Sequence, residues 1–178
     1  MVIRILTVCM GLLFASRASA IEPAGLKVRV TGLLSVDREK DLREVFAEWP
    51  EVKLAAIDFD TSEVTLSLDL EKLFPKLKPA DVIARLHERV GNLSGHTFGI
   101  KTLCTVPRDK LKRIEIPAAG LDCKACCLAA YEIVAKIDGV EQATASFKAG
   151  LITALIDPTK TDKAKLEAAL KQRGVTLK

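Results

Sequence analysis

Aromatic residues are scarce in this chain: one Trp, one Tyr and six Phe among 178 residues. So few rings leave no stacking platform of the kind that holds single-stranded nucleic acid. A large excess of one charge is also missing. The formal net charge is only +4, where a nucleic-acid binder calls for a basic stripe. Histidine occurs only twice. His87 and His96 read as surface or structural residues, and the acid pairs Asp37/Asp41 and Asp58/Asp60 fit solvated faces. With no Ser/His/Asp order, no phosphate loop and no acid–base pair, the sequence does not read as an enzyme. Long apolar runs are absent after the first twenty residues, so no later segment reads as a membrane span. Cysteine, with five residues, is too sparse for a disulfide-framework miniprotein.

What is present is a foldable composition, 49% hydrophobic and 28% charged, which excludes a disordered chain. The length fits one ordinary domain or two small ones. The first twenty residues, MVIRILTVCMGLLFASRASA, combine Arg4, an apolar stretch from Ile5 to Ala15 and a small-x-small end at Ala18-Ser19-Ala20. That stretch is too short to span a bilayer and reads as a secretory signal peptide over residues 1–20, cut after Ala20. Cys9 then leaves with the signal. The expectation is an exported, periplasmic protein with no transmembrane segment in its mature chain. Losing Arg4 and Arg17 lowers the net charge from +4 to +2, which again argues against nucleic acid as partner.

The chain repeats itself at an offset of 88 residues. Gly32-Leu33 falls on Gly120-Leu121, Val52 on Val140, Ala55 on Ala143, and Phe59 on Phe147. Thr65 falls on Thr153 and Asp69 on Asp157, with no gap between Gly32 and Asp69. The order of periodicities repeats too. In the first copy, residues 26–30 alternate as a strand, and Leu42, Val45, Phe46 and Trp49 have helical spacing over 36–48. Val52 to Phe59 and residues 64–68 read as strands. Pro79 opens a helix carrying Val82, Ile83, Leu86 and Val90, and residues 96–103 read as a last strand.

The second copy predicts a strand over 111–116 and a helix over 124–137, with Leu128, Tyr131, Ile133, Val134 and Ile137 inward. A hairpin over 143–147 and 151–156, a helix over 162–172 and a short strand over 175–177 complete it. The fold class is therefore α+β: two tandem ferredoxin-like βαββαβ domains. The predicted bounds are 24–103 and 110–178, joined through KTLCTVPRDK at 101–110. Units of about 70 residues lie near the lower limit for independent folding.

Chemistry concentrates at Gly120-Leu121-Asp122-Cys123-Lys124-Ala125-Cys126-Cys127. Cys123 falls on a loop and Cys126 in the first turn of a helix, so one ion can touch both sulfurs. A helix N-terminus offers unpaired N–H groups and partial positive charge, which favour thiolate, the form that binds metal. Two thiolates suit soft ions such as Cu(I), and also Zn(II) and other thiophilic divalent ions. Under the 88-residue offset, Ser35 stands at Cys123, Arg38 at Cys126 and Glu39 at Cys127, none of them a soft ligand.

The pattern G-L-D-C-K-A-C between strand one and helix one of a βαββαβ unit resembles the heavy-metal-associated domain. That family includes copper chaperones, periplasmic mercury-binding proteins and modules of metal-pumping ATPases. The resemblance covers residues 110–178 by motif and 24–103 by fold pattern alone, as a degenerate copy without a cysteine pair. It implies Cys123 and Cys126 as metal ligands. Asp122 stands where an acid joins the coordination sphere in zinc-selective members; with Cys127 it would raise coordination to three or four and favour Zn(II) or Cd(II), and without them two-coordinate Cu(I) or Hg(II) is preferred. Leu121 stands where the family usually has Met, and Val175 where many members have an aromatic residue. Cys127 is additional to the motif, either as a third sulfur or as a helix-packing residue. The implied partners are the ion and a metal-transporting membrane protein or other acceptor. Two alternatives stay open: an interaction module with oxidised cysteines, and a thiol–disulfide redox protein, although the βαββαβ order is not that of thioredoxin. Four cysteines remain after the signal (Cys104, Cys123, Cys126 and Cys127), and four allow three full pairings.

Overall fold

Alternation carries directly into the first strand, β1 (Gly25–Thr31), which turns Val28 and Val30 into the core. The computed structural model describes residues 25–178, and the predicted signal peptide at 1–20, with Cys9, lies outside the described residues. Helix α1 (Arg38–Ala47) follows and buries Leu42 and Phe46, four residues apart on one face. Strand β2 (Val52–Asp58) and strand β3 (Glu63–Leu68) form a hairpin, with Val64, Leu66 and Leu68 inward. A short helix, α2 (Leu70–Leu73), is an element the periodicity does not predict. Asp69 caps it by accepting from Lys72 N at 3.1 Å. Helix α3 (Pro79–Leu93) starts on its proline and buries Val82, Leu86 and Val90. Strand β4 (Gly99–Lys101) closes an antiparallel sheet of order β2-β3-β1-β4. It is shorter than the predicted 96–103, because His96 at φ +62° still belongs to the turn after α3.

The second unit repeats the plan. Strand β5 (Lys112–Pro117), helix α4 (Lys124–Ala135), the hairpin of β6 (Val140–Ser146) and β7 (Leu151–Ile156), and helix α5 (Lys163–Gln172) follow in order. The sheet order is β5-β7-β6. The predicted fourth strand contracts to a single bridge between Ala118 and Leu177. Its backbone still pairs: Ala119 N donates to Thr176 O at 2.8 Å and Lys178 N to Pro117 O at 3.0 Å. Each sheet and its helices enclose a separate core, one around Val28, Leu42, Leu66 and Leu86, the other around Ile116, Val134, Ile152 and Leu166. No helix among the described residues is long and apolar enough to cross a membrane.

The 88-residue repeat is visible in the strand register. Val52 faces Leu68 and Asp58 faces Glu63 in the first hairpin; Val140 faces Ile156 and Ser146 faces Leu151 in the second. Both hairpins carry one extra residue, but at different places: Ala55 in β2 and Glu141 in β6. A bulge re-aims a side chain. Here it delivers Glu141 to the other unit, where Arg29 of β1 pairs with the Glu141 carboxylate and donates to its backbone carbonyl at 2.6 Å.

Two further contacts join the units. Leu34, just past β1, is buried in the core of the second unit rather than its own, and its carbonyl accepts from Ala145 N at 3.0 Å. Tyr131 of α4 reaches back so that its hydroxyl oxygen accepts from Gly32 N at 2.6 Å. Burial pushes the Tyr131 phenol above its ordinary value, partly opposed by that bond to Gly32. The fold therefore favours the neutral phenol. This contribution to stability is complete below pH about 10 and is lost as the pH rises through the folded-state value. Tyr131→Phe strands the buried Gly32 N–H, so a loss of about 1–3 kcal/mol is expected in urea unfolding at pH 7. The same variant should have a flatter alkaline limb of stability against pH; an unchanged limb would show that Tyr131 does not titrate with unfolding.

Candidate metal site

Gly120, at φ +72°, turns the chain out of the second sheet. Leu121 then anchors the loop by burying its side chain in the core, leaving Asp122 and Cys123 exposed beyond it. Cys123 is extended (φ −139°, ψ 159°) and caps α4: its sulfur accepts from Cys126 N at 3.0 Å. One orphan donor of the helix start is thereby satisfied, and the sulfur sits at the positive end of the helix dipole.

Cys126, one turn on, is joined to Cys123 by a disulfide, with Cα atoms 5.1 Å apart. The Asp122 carboxylate stands beside them: its Oδ1 is 3.6 Å from Cys126 Sγ. That approach becomes a hydrogen bond only when the disulfide is opened and the sulfur carries a proton. Ligand atoms of Asp122, Cys123 and Cys126 lie within 4.8 Å of one another. Three of the four residues named from the sequence are thus brought together.

Cys127 is not in that group. It points into the core with its sulfur toward the Leu121 carbonyl at 3.6 Å, and burial pushes its thiol up. Of its two predicted orientations it takes the helix-packing one. The signal for this was available: Cys127, Ala130, Tyr131 and Val134 form an i, i+3, i+4, i+7 stripe, and they are the buried residues of α4. Leu128 and Ile133, predicted inward, lie at the margin of that stripe and are partly buried. Cys104 lies apart in the linker, a free thiol donating to Val106 O at 3.4 Å, and it too is pushed up chiefly by burial.

In the first unit the matching loop holds no sulfur. Arg38, at the position of Cys126, stacks on Phe98 at 4.3 Å and binds Asp41 at 2.9 Å. The two loops lie across a shared cleft of about 430 Å³, with Ser35, Asp37 and Arg38 on one wall and Lys124, Ala125 and Leu128 on the other. The positions that hold the cysteine pair in one copy thus face that pair's loop from the other, which the sequence did not reveal. The histidines take structural positions: His87 Nδ1 lies 3.0 Å from Ile100 O and 3.2 Å from Ile100 N, and His96 N donates to Gly91 O at 2.7 Å in the turn after α3.

No family model and no curated protein matches the sequence. Solved structures do show similarity. Oxidised MerP from Ralstonia metallidurans CH34 is 22% identical, covering 38% of this chain and 94% of its own, with a TM-score of 0.37. The CopZ metallochaperone is 21% identical over 38% of this chain and 100% of its own, with a TM-score of 0.37. The N-terminal soluble domains of Bacillus subtilis CopA are 18% identical, covering 86% of this chain and 91% of their own, with a TM-score of 0.36.

Proposed function

We propose that this protein captures one soft or thiophilic ion with Cys123 and Cys126 and passes it to a metal-transporting membrane protein or other acceptor. The observation that supports this reading is the gathering of two sulfurs and a carboxylate at an exposed helix N-terminus. The disulfide must first gain two electrons and two protons. The helix end then favours thiolate, and two thiolates hold Cu(I) or Hg(II) in two-coordinate form. Adding the hard Asp122 oxygen suits Zn(II) or Cd(II). Cys127, turned into the core, is left out of the set. Exposure of Cys123 lets an incoming thiolate of the acceptor displace one ligand at a time, so the ion moves by ligand exchange rather than by catalysis. The first unit, with Ser35 and Arg38 at the ligand positions, is read as a degenerate copy kept for structure or docking. The N-terminal pattern of residues 1–20 supports export to the periplasm as the setting.

The disulfide favours a second reading, a thiol–disulfide redox protein. One experiment separates the two. The protein is reduced anaerobically with a phosphine, its thiols are counted, and Cu(I) and Zn(II) uptake are measured. The expected result is one ion per chain, and none for oxidised protein or for Cys123→Ser/Cys126→Ser. Unchanged uptake in the double variant would overturn the metal reading. Absent uptake with a reversible two-electron titration would favour the redox one.

A further inference from the structure

The cleft between the units has features that docking of the two loops does not require. Its volume, about 430 Å³, falls in the range of small-molecule sites. Its walls carry opposite net charge: Asp37 and the Arg38–Asp41 pair on the first unit, Lys124 and Lys148 on the second. The lining also includes Leu34 and Phe147, the latter 51% exposed although it is a large aromatic side chain. Arg38, also in the lining, is engaged within the first unit, stacked on Phe98 and paired with Asp41. Lys124 and Ala125, which line the cleft, are the two residues enclosed by the Cys123–Cys126 disulfide.

We propose that this cleft binds a small zwitterionic thiol and seats it beside the Cys123–Cys126 disulfide, selecting it as the reductant of the pair. The ligand's ammonium group faces Asp37, its carboxylates face Lys124 and Lys148, and its carbon chain lies on Leu34 and Phe147. The chemistry balances with two thiol molecules. The first thiolate attacks one sulfur of the disulfide, the S–S bond breaks, and a mixed disulfide forms while the other cysteine leaves as thiolate. A second thiol attacks the mixed disulfide and releases the small-molecule disulfide. The two thiols together give up two electrons and two protons, and Cys123 and Cys126 take them up. The first unit thereby acquires a role its missing cysteines do not suggest: it supplies the acidic wall that recognises the reductant. The proposal shares its sulfur pair with the metal reading but does not depend on an ion.

The test is the rate of disulfide opening in the full chain, with glutathione as the zwitterionic probe and 2-mercaptoethanol as the uncharged one, at matched thiolate concentration. Glutathione should give a rate that saturates, 2-mercaptoethanol a rate that rises linearly, and S-methylglutathione should compete with the first alone. Asp37→Asn and Lys148→Gln, both at exposed positions, should each lower the glutathione rate below saturation by about fivefold and leave the 2-mercaptoethanol rate within about twofold. A linear glutathione rate, absence of competition, or equal slowing of both thiols would overturn the proposal. Ion uptake by phosphine-reduced protein is measured in parallel and bears only on the metal reading.

Discussion

Gly32→Ala is expected to lower the stability of the first unit by more than about 4 kcal/mol. Gly32 sits at φ +92°, and a Cβ there would lie 2.0 Å from the backbone oxygen of Thr97. A left-handed backbone alone costs an L-residue about 1–2 kcal/mol. The clash adds to this and has no rotamer to relieve it, because the obstacle is main chain. Thr97 is itself held, donating from Oγ1 to Ser94 O at 2.9 Å. The Gly32 N–H also anchors Tyr131, so any backbone shift breaks a bond between the units. A total cost above about 4 kcal/mol takes away between roughly a quarter and most of the 5–15 kcal/mol that holds a typical domain. Trp49, the single tryptophan and a member of the first core, reports the loss by fluorescence in urea. Gly120→Ala is the control: it shares the positive φ, at +72°, but meets no atom within 4 Å, so about 1 kcal/mol is expected. Similar small losses in both variants would refute the role given to the Thr97 contact.

Leu34→Ala should destabilise the unit that does not contain it. The side chain is buried with Ile116, Ala145 and Ile152, across the boundary from its own sheet. Truncating a buried leucine costs about 2–5 kcal/mol, the spread reflecting how far the site collapses. Native-state hydrogen exchange separates the units. Amides of Val134 and Ile152 should lose protection by that amount, while those of Leu42 and Leu66 lose much less. Loss confined to the first unit would show that Leu34 does not support the second core.

The repeat, both hairpins and the positions of the longer helices were legible because they rest on local period and turn residues. Val52 to Leu68 and Val140 to Ile156 keep the register that the gap-free offset implies. The loop geometry was legible for the same reason, since a cysteine before a helix start places its sulfur at the cap. Contacts between the units were not. Leu33 and Leu34 are adjacent and identical in type, yet one fills the first core and the other the second. Nothing local distinguishes them. The bulge at Glu141 was hidden for a related reason: its partner Arg29 lies in the other copy, so no pattern within β6 announces it. The fourth strand of the second unit was overestimated: Gly174, at φ +81°, turns the chain out of α5, and Leu177 alone then bridges to Ala118. Whether the sulfurs are joined is set by the redox poise around the protein, a quantity no spacing encodes.

The placement of Leu34 bears on the order of events during synthesis. A chain made from its amino end completes β1 and the Gly32–Leu34 turn long before β6 emerges. β6 is the outermost strand of its sheet, and an uncovered strand edge invites pairing with other chains. Here the covering segment is already in existence when the edge appears, and the Ala145 N–H meets a waiting carbonyl. The first half thus supplies the segment that covers this edge of the second half.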